Sequence, residues 1–147
     1  PGRVIVQSYQ PEHYAIQYAS HHDYTGFFKK ELGIRRQFTY PPFSHIIRVL
    51  ITGQNEKEVV QYAKNMLKWI KDKAAADEAL NSGLLDLGVY EAPIQRINDK
   101  YRWQVLIRIH QGIHVKEAWH RLSESLIHKF YREDITVTLD FNPLSLI

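Results

Sequence analysis

Lys100-Tyr101-Arg102-Trp103-Gln104-Val105-Leu106-Ile107-Arg108-Ile109-His110 alternates in character with a period of two. Tyr101, Trp103, Val105, Ile107 and Ile109 fall on one side of an extended chain, while Arg102, Gln104, Arg108 and His110 share the other with Leu106. β-branched and aromatic side chains suit a pleated, half-buried surface, so the stretch predicts a β-strand with one packing face and one polar, basic face. Two readings of its arginines are open: a solvated sheet face, or a surface for a polyanion.

Upstream, Leu84 to Glu91 predicts a second strand with Leu85, Leu87 and Val89 on one face. An irregular connection over Pro93 to Asp99 joins it to the first as a hairpin. Downstream, Gln111 and Gly112 turn the chain into a helix from about His114 to Arg132, where Val115, Ala118, Trp119, Leu122, Leu126 and Phe130 trace one stripe. Ile135 to Phe141 follows as a strand. Further back, His45 to Thr52 is a strand with Ile47, Val49 and Ile51 on one face. Gly53-Gln54-Asn55 turns it, with Asn55 as cap, into a long helix from Glu56 to about Leu80. Val59, Ala63, Met66, Leu67 and Ile70 recur there at helical spacing, and Asn81-Ser82-Gly83 ends it.

From Pro42 the order is strand, helix, strand, strand, helix, strand, which predicts an α+β unit of the ferredoxin-like, split βαβ kind, an antiparallel sheet with two helices on one face. Right-handed crossovers place both helices on the same side. Ile47, Trp103, Ile107, Val137 and Leu139 should then be covered, with Arg48, Arg102, Gln104, Arg108, Thr136 and Thr138 on the open face.

Before Pro42 the texture differs. Pro1 opens the chain without an initiator Met, and Arg3-Val4-Ile5-Val6-Gln7-Ser8 predicts a strand with no room before it for neighbours, which leads us to expect an excised piece of a longer protein. Pro11 to about Ser20 predicts a short helix, and Asp23 an N-cap for a second helix through Tyr24, Phe27, Phe28, Leu32 and Arg36. That helix must stop before Pro41. Lys29, Lys30, Arg35 and Arg36 give it a basic side. The expected division is residues 1–41 and residues 42–147.

The 147 residues contain no cysteine, which excludes disulfides, thiol nucleophiles and thiolate zinc sites. No apolar run reaches the roughly 20 residues of a membrane span and no signal-peptide pattern opens the chain, so a soluble, cytoplasmic protein without membrane contact is expected. A net charge of +3 with eight histidines permits a polyanionic partner without establishing one. There is no glycine-rich phosphate loop, no Gly-x-Ser-x-Gly elbow and no His-Glu-x-x-His motif, so no catalytic residue is assigned. His110, His114, His120 and His128 are spaced onto different sides of a turn and helix, which gives no metal site. Tyr101 and Trp103 resemble base-stacking aromatics only superficially, since the glycines of RNA-recognition sheets are missing and these rings are expected to face the helices.

Four motifs occur in order along the chain: Gly2-Arg3-Val4-Ile5-Val6-Gln7-Ser8-Tyr9 with Pro11-Glu12-His13, Tyr40-Pro41-Pro42-Phe43, Tyr101-Arg102-Trp103-Gln104, and Val137-Thr138-Leu139-Asp140-Phe141-Asn142-Pro143. Together they resemble the primosomal protein N-prime family of bacterial replication-restart helicases. The resemblance implies that the first residues are the last strand of the second helicase lobe and that the rest is the family's C-terminal domain. It implies a parent that is an ATP-driven 3′-to-5′ DNA helicase of the primosome. ATP, magnesium and zinc would belong to parts of that parent outside this chain, with no cofactor here. It also implies DNA, single-stranded or forked, single-stranded-DNA-binding protein and other primosome proteins as partners.

Arg48, Lys100, Arg102 and Arg108 are the candidate DNA contacts on the open face. The resemblance implies a basic partner-binding side chain at His114 or at Lys116, and a glutamine at the position where this sequence has Ala118. The alternative is a structural docking domain that braces the helicase lobe without touching DNA. A small-molecule regulatory domain would need a glycine-rich effector turn that is missing.

Overall fold

The computed structural model describes residue 2 and residues 4–144. Helices α1 (Tyr14–Ser20) and α2 (Tyr24–Gln37) precede β1 (Ser44–Gly53), α3 (Glu56–Ala76), α4 (Glu78–Gly83), β2 (Leu84–Ile97), β3 (Lys100–His110), α5 (Ile113–Lys129) and β4 (Ile135–Phe141). The strands form one antiparallel sheet in the order β2-β3-β1-β4, so the first and third strands are central, as the split βαβ reading requires. By contacts the chain divides into residues 1–40 and residues 41–147.

Register turns the period-two pattern into a core. Ile47 lies opposite Ile107, Val49 opposite Val105 and Ile51 opposite Trp103, while Leu139 and Val137 of β4 lie opposite Val49 and Ile51. These side chains meet Val59, Ala63, Met66 and Ile70 of α3 and Ala118, Trp119, Leu122 and Leu126 of α5 in one cluster. Each fully buried Ile or Leu there is worth about 1.5–3 kcal/mol, which is why the helices lie on this face alone. Trp119 is the largest fully buried side chain, while Trp103 packs on the cluster from its edge and is only partly covered. Phe130 closes the end of the layer, edge-on to Tyr62 at 5.5 Å and to Trp69 at 5.8 Å. The Tyr62 hydroxyl donates to the Phe130 carbonyl at 2.6 Å, and burial pushes that hydroxyl's pKa up.

Asp23 and Asn55 cap their helices as expected, accepting from the Gly26 and Glu58 amides. Elsewhere the structure corrects the sequence. The long helix stops at Ala76, because Asp77 turns its carboxylate onto the Ala79 and Leu80 amides and starts α4 instead. A Cβ on Gly83 would stand 2.3 Å from Val115 Cγ1, so the missing side chain lets α4 close on α5.

The register of β2 slips between Leu84 and Asp86, so Leu84 and Leu87 pack on the core and Leu85 drops out of the expected set. Pro93 to Asp99 is not a loose connection. Pairing stops after Glu91 opposite Trp103, resumes at Arg96 opposite Tyr101, and closes through Asn98 and Asp99, whose φ of 50° and 59° suit a tight primed turn.

The expected first strand is absent among the described residues Val4 to Ser8, which have no strand beside them and leave Val4 89 % exposed. Arg3 lies outside the described residues. The first helix begins at Tyr14 rather than at Pro11, capped by His13 Nδ1 accepting from the Ala15 amide. Within residues 1–40 no described helical residue is buried, and Tyr14 donates to Glu31, which also pairs with Arg35 at 2.6 Å. Among the described residues no helix is long and apolar enough to cross a membrane.

Candidate nucleic-acid interface on the open sheet face

The same register that builds the core assembles the opposite face. Arg108 has Ile46 and Asp86 as cross-strand neighbours, Leu106 has Arg48 and Gly88, Gln104 has Leu50 and Tyr90, and Arg102 has Thr52. On the far side of β1, Asp140 lies opposite Arg48, with Thr138 and Thr136 beside Leu50 and Thr52. Arg48, Arg102 and Arg108 therefore do share one face, as their even spacing predicts.

What the spacing could not show is how each arginine is engaged. Arg48 donates through Nη2 and Nε to Asp140 Oδ2, at 2.7 and 3.1 Å. Its side chain keeps 11 % exposure. Arg108 Nη2 lies 4.0 Å from Asp86 Oδ2, a looser pair. Central strands thus carry the cations and edge strands the matching carboxylates.

Arg102 is different. Its Nη1 donates to the Ile94 carbonyl at 2.9 Å, and the residue is 9 % exposed beneath the part of β2 that leaves the ladder. Gln104 reaches the Glu91 carbonyl at 3.4 Å from the same pocket of backbone, and its Oε1 has no partner among the described residues. Arg102 fastens the irregular segment 92–95 to the sheet, and Gln104 holds the residue just before it. Arg102 is accordingly a structural donor in this conformation rather than one arm of an exposed cluster. Lys100, at the hairpin end of β3, is exposed, and with Thr52, Ile97, Asn98 and Arg102 it lines a hollow of about 240 Å³.

Sequence reasoning missed Asp86, Asp140 and Tyr90. Parity with Leu87 and Val89 already puts Asp86 on the open face, but the pairing of the two aspartates with Arg108 and Arg48 becomes visible only once register is known. Tyr90 carried a signal: it follows Gly88 by two residues, on the same side of the strand. A Cβ at Gly88 would sit 2.5 Å from the Tyr90 hydroxyl, so the ring lies flat over the glycine, half exposed on the arginine face.

His114 and Lys116 are both exposed in the first turn of α5, with His114 4.0 Å from Glu117. Two residues apart on a helix, they point to different sides and form no joint basic site. Among the described residues no group of three or more His, Cys, Asp or Glu side chains is arranged to hold a metal.

The family model described as the primosomal protein N C-terminal domain matches residues 36–144. The replication restart protein PriA of Bacillus subtilis is 29 % identical over 147 residues, covering 100 % of this chain and 18 % of the relative. The protein of the same name from Synechocystis is 34 % identical, covering 99 % of this chain and 16 % of the relative. The chain therefore spans less than a fifth of either relative's length. A solved dimeric ferredoxin-like protein from an uncultured marine organism aligns with a TM-score of 0.44 at 10 % identity, covering 67 % of this chain and 85 % of the other. With more than half of its residues matched, and a four-stranded split βαβ sheet beneath them, the chain belongs to the primosomal protein N C-terminal domain family.

Proposed function

We propose that this chain is an accessory, non-catalytic module of a replication-restart DNA helicase of the primosome, contributing contacts to DNA and to single-stranded-DNA-binding protein. The observation that carries this reading is the alignment along the full chain with proteins named for replication restart. ATP-driven 3′-to-5′ unwinding, with its ATP and magnesium, and any structural zinc, then belong to other parts of the longer protein. The setting is the cytoplasm, with other primosome proteins as further partners. The DNA surface is the open sheet face, where Lys100 is exposed, Arg108 is partly exposed, and Tyr90 offers a ring on which an unpaired base can stack. His114 and Lys116 are separate candidate contacts for the partner protein.

Purified chain should not hydrolyse ATP with or without DNA. It should bind single-stranded and forked oligonucleotides with an affinity that falls as salt rises, and replacing Lys100 and Arg108 together by Gln should lower the logarithmic salt slope by about one to two. A second reading is favoured by the engaged state of the arginines: with Arg48 and Arg108 drawn to carboxylates and Arg102 buried, the face braces a neighbouring part of the helicase. An unchanged slope in a folded double variant would select that reading.

A further inference from the structure

The outer side of α3 carries a charge pattern that the sheet face lacks. Lys57, Gln61, Lys64, Lys68 and Lys71 recur at intervals of four, three, four and three, a heptad spacing that sets them in one stripe. All five are exposed, and the stripe lies away from buried Val59, Ala63, Met66, Ile70 and Ala74. At 1.5 Å per residue it runs about 21 Å.

None of the four lysines makes an ion pair among the described residues. The carboxylates nearest in sequence do not neutralise them: Glu58 is taken by Arg132 at 3.5 Å, and Asp72, four residues beyond Lys68, forms no pair with it. Lys73, off the stripe, lies over the Trp69 ring at 5.8 Å. Like charges at Lys64 and Lys68 and at Lys68 and Lys71 disfavour the helix that bears them. A local rule broken with no compensating contact is what a functional surface shows.

We propose that this lysine stripe is a second binding surface, on the helix layer, for the phosphodiester backbone of nucleic acid. It goes beyond the sheet-face reading and does not depend on it. Ammonium groups on flexible stems act as point charges that follow phosphates, without the fork geometry that reads base edges, so the contact is tolerant of sequence. The charge complementarity is one-sided: a line of four cations, with the acid Asp72 only at its C-terminal end, suits a partner whose charges repeat along its length.

The test is salt-dependent binding of the full chain to mixed-sequence single-stranded and duplex oligonucleotides, with polyglutamate as a non-phosphate polyanion. In K57Q/K64Q/K68Q/K71Q the logarithmic salt slope should fall by about 0.7 per lysine on single strands and about 0.9 per lysine on duplex. The corresponding Lys→Arg quadruple should keep it. Thermal unfolding should match the unaltered chain, since every substitution is on an exposed face. An unchanged slope in the folded Gln quadruple would overturn the proposal, as would polyglutamate binding as tight as the oligonucleotide. The variant with Lys100 and Arg108 replaced by Gln, measured in parallel, separates the two surfaces. Loss in that variant alone leaves the sheet reading standing and removes this one, loss in the lysine quadruple alone does the reverse, and no binding by the unaltered chain removes both.

Discussion

The open sheet face and the outer face of α3 are both basic in sequence and opposite in how the fold treats them. On the sheet, each arginine of the open face has a partner on a neighbouring strand within a few ångströms. Arg48 meets Asp140, Arg108 meets Asp86, and Arg102 meets a backbone carbonyl. On α3, the neighbours within reach belong to the same helix, and they are lysines, amides, apolar residues and one acid, Asp72, that forms no ion pair with Lys68 among the described residues. Basic residues on a strand therefore become part of the fold when register supplies acids beside them. Basic residues on a lone helix face stay available to something outside it.

Both faces depend on the layer between them. Truncating Trp119 to Ala should cost about 3–5 kcal/mol in chemical unfolding, because it empties the largest fully buried site, and should abolish any binding on either side. Trp103→Ala should cost less, since that ring is partly exposed. Equal costs would mean that the packing of the two tryptophans is misassigned.

The next effect sharpens the contrast directly. Arg102→Ala leaves the Ile94 carbonyl without its donor beneath the irregular segment of β2 and should cost about 1–3 kcal/mol, whereas Lys68→Ala should stay within about 0.5 kcal/mol. A similar melting temperature for the two variants would break the distinction between a structural cation and a free one.

Smaller still is the coupling between Arg48 and Asp140. A double-mutant cycle with Arg48→Gln and Asp140→Asn should return about 0.5–1 kcal/mol, while the cycle of Lys68 with Asp72 should return nothing measurable.

The smallest effect is in acid. Hydrogen bonding and charge from Arg132 hold the Asp134 carboxyl below the usual carboxylate range. A depressed folded-state pKa adds stability that is fully present above the unfolded value and is lost as pH falls through the folded one. Arg132→Gln should therefore lower stability slightly at neutral pH and shrink the loss on acidification, seen as a shallower acid limb in circular dichroism.

Much of the fold was legible because two periodicities survive translation into structure. The alternation of residues 101–109 assigned both sheet faces, and Asp23 and Asn55 announced their helix starts through side-chain acceptors. The failures share a cause. At Leu85, at residues 92–95 and at Asp77 the regular pattern is interrupted by one or a few residues, and parity beyond the interruption is lost. Val4 to Ser8 reads as strand from composition, yet strand is a property of pairing. For the candidate interface, parity grouped Arg48, Arg102 and Arg108. It could not reveal the burial of Arg102, because the segment that buries it is the one whose geometry carries no period.

The ties that finish the sheet also set the tempo of its assembly. Arg48 and Asp140 are 92 residues apart, and the Ile46 amide donates to Asn142 Oδ1 across 96 residues, at 3.0 Å. The Asn142 amide answers by donating to the Ile46 carbonyl at 2.7 Å. The β2–β3 hairpin, in contrast, closes through two residues. Loop closure over so many residues carries an entropic cost that must be met before the contact returns anything, so the hairpin can form early while β4 must arrive late. The Asp140-Phe141-Asn142-Pro143 stretch is then the last piece to be locked, and a polypeptide cut short before it would leave the Ile46 to Arg48 end of β1 without its β4 partners.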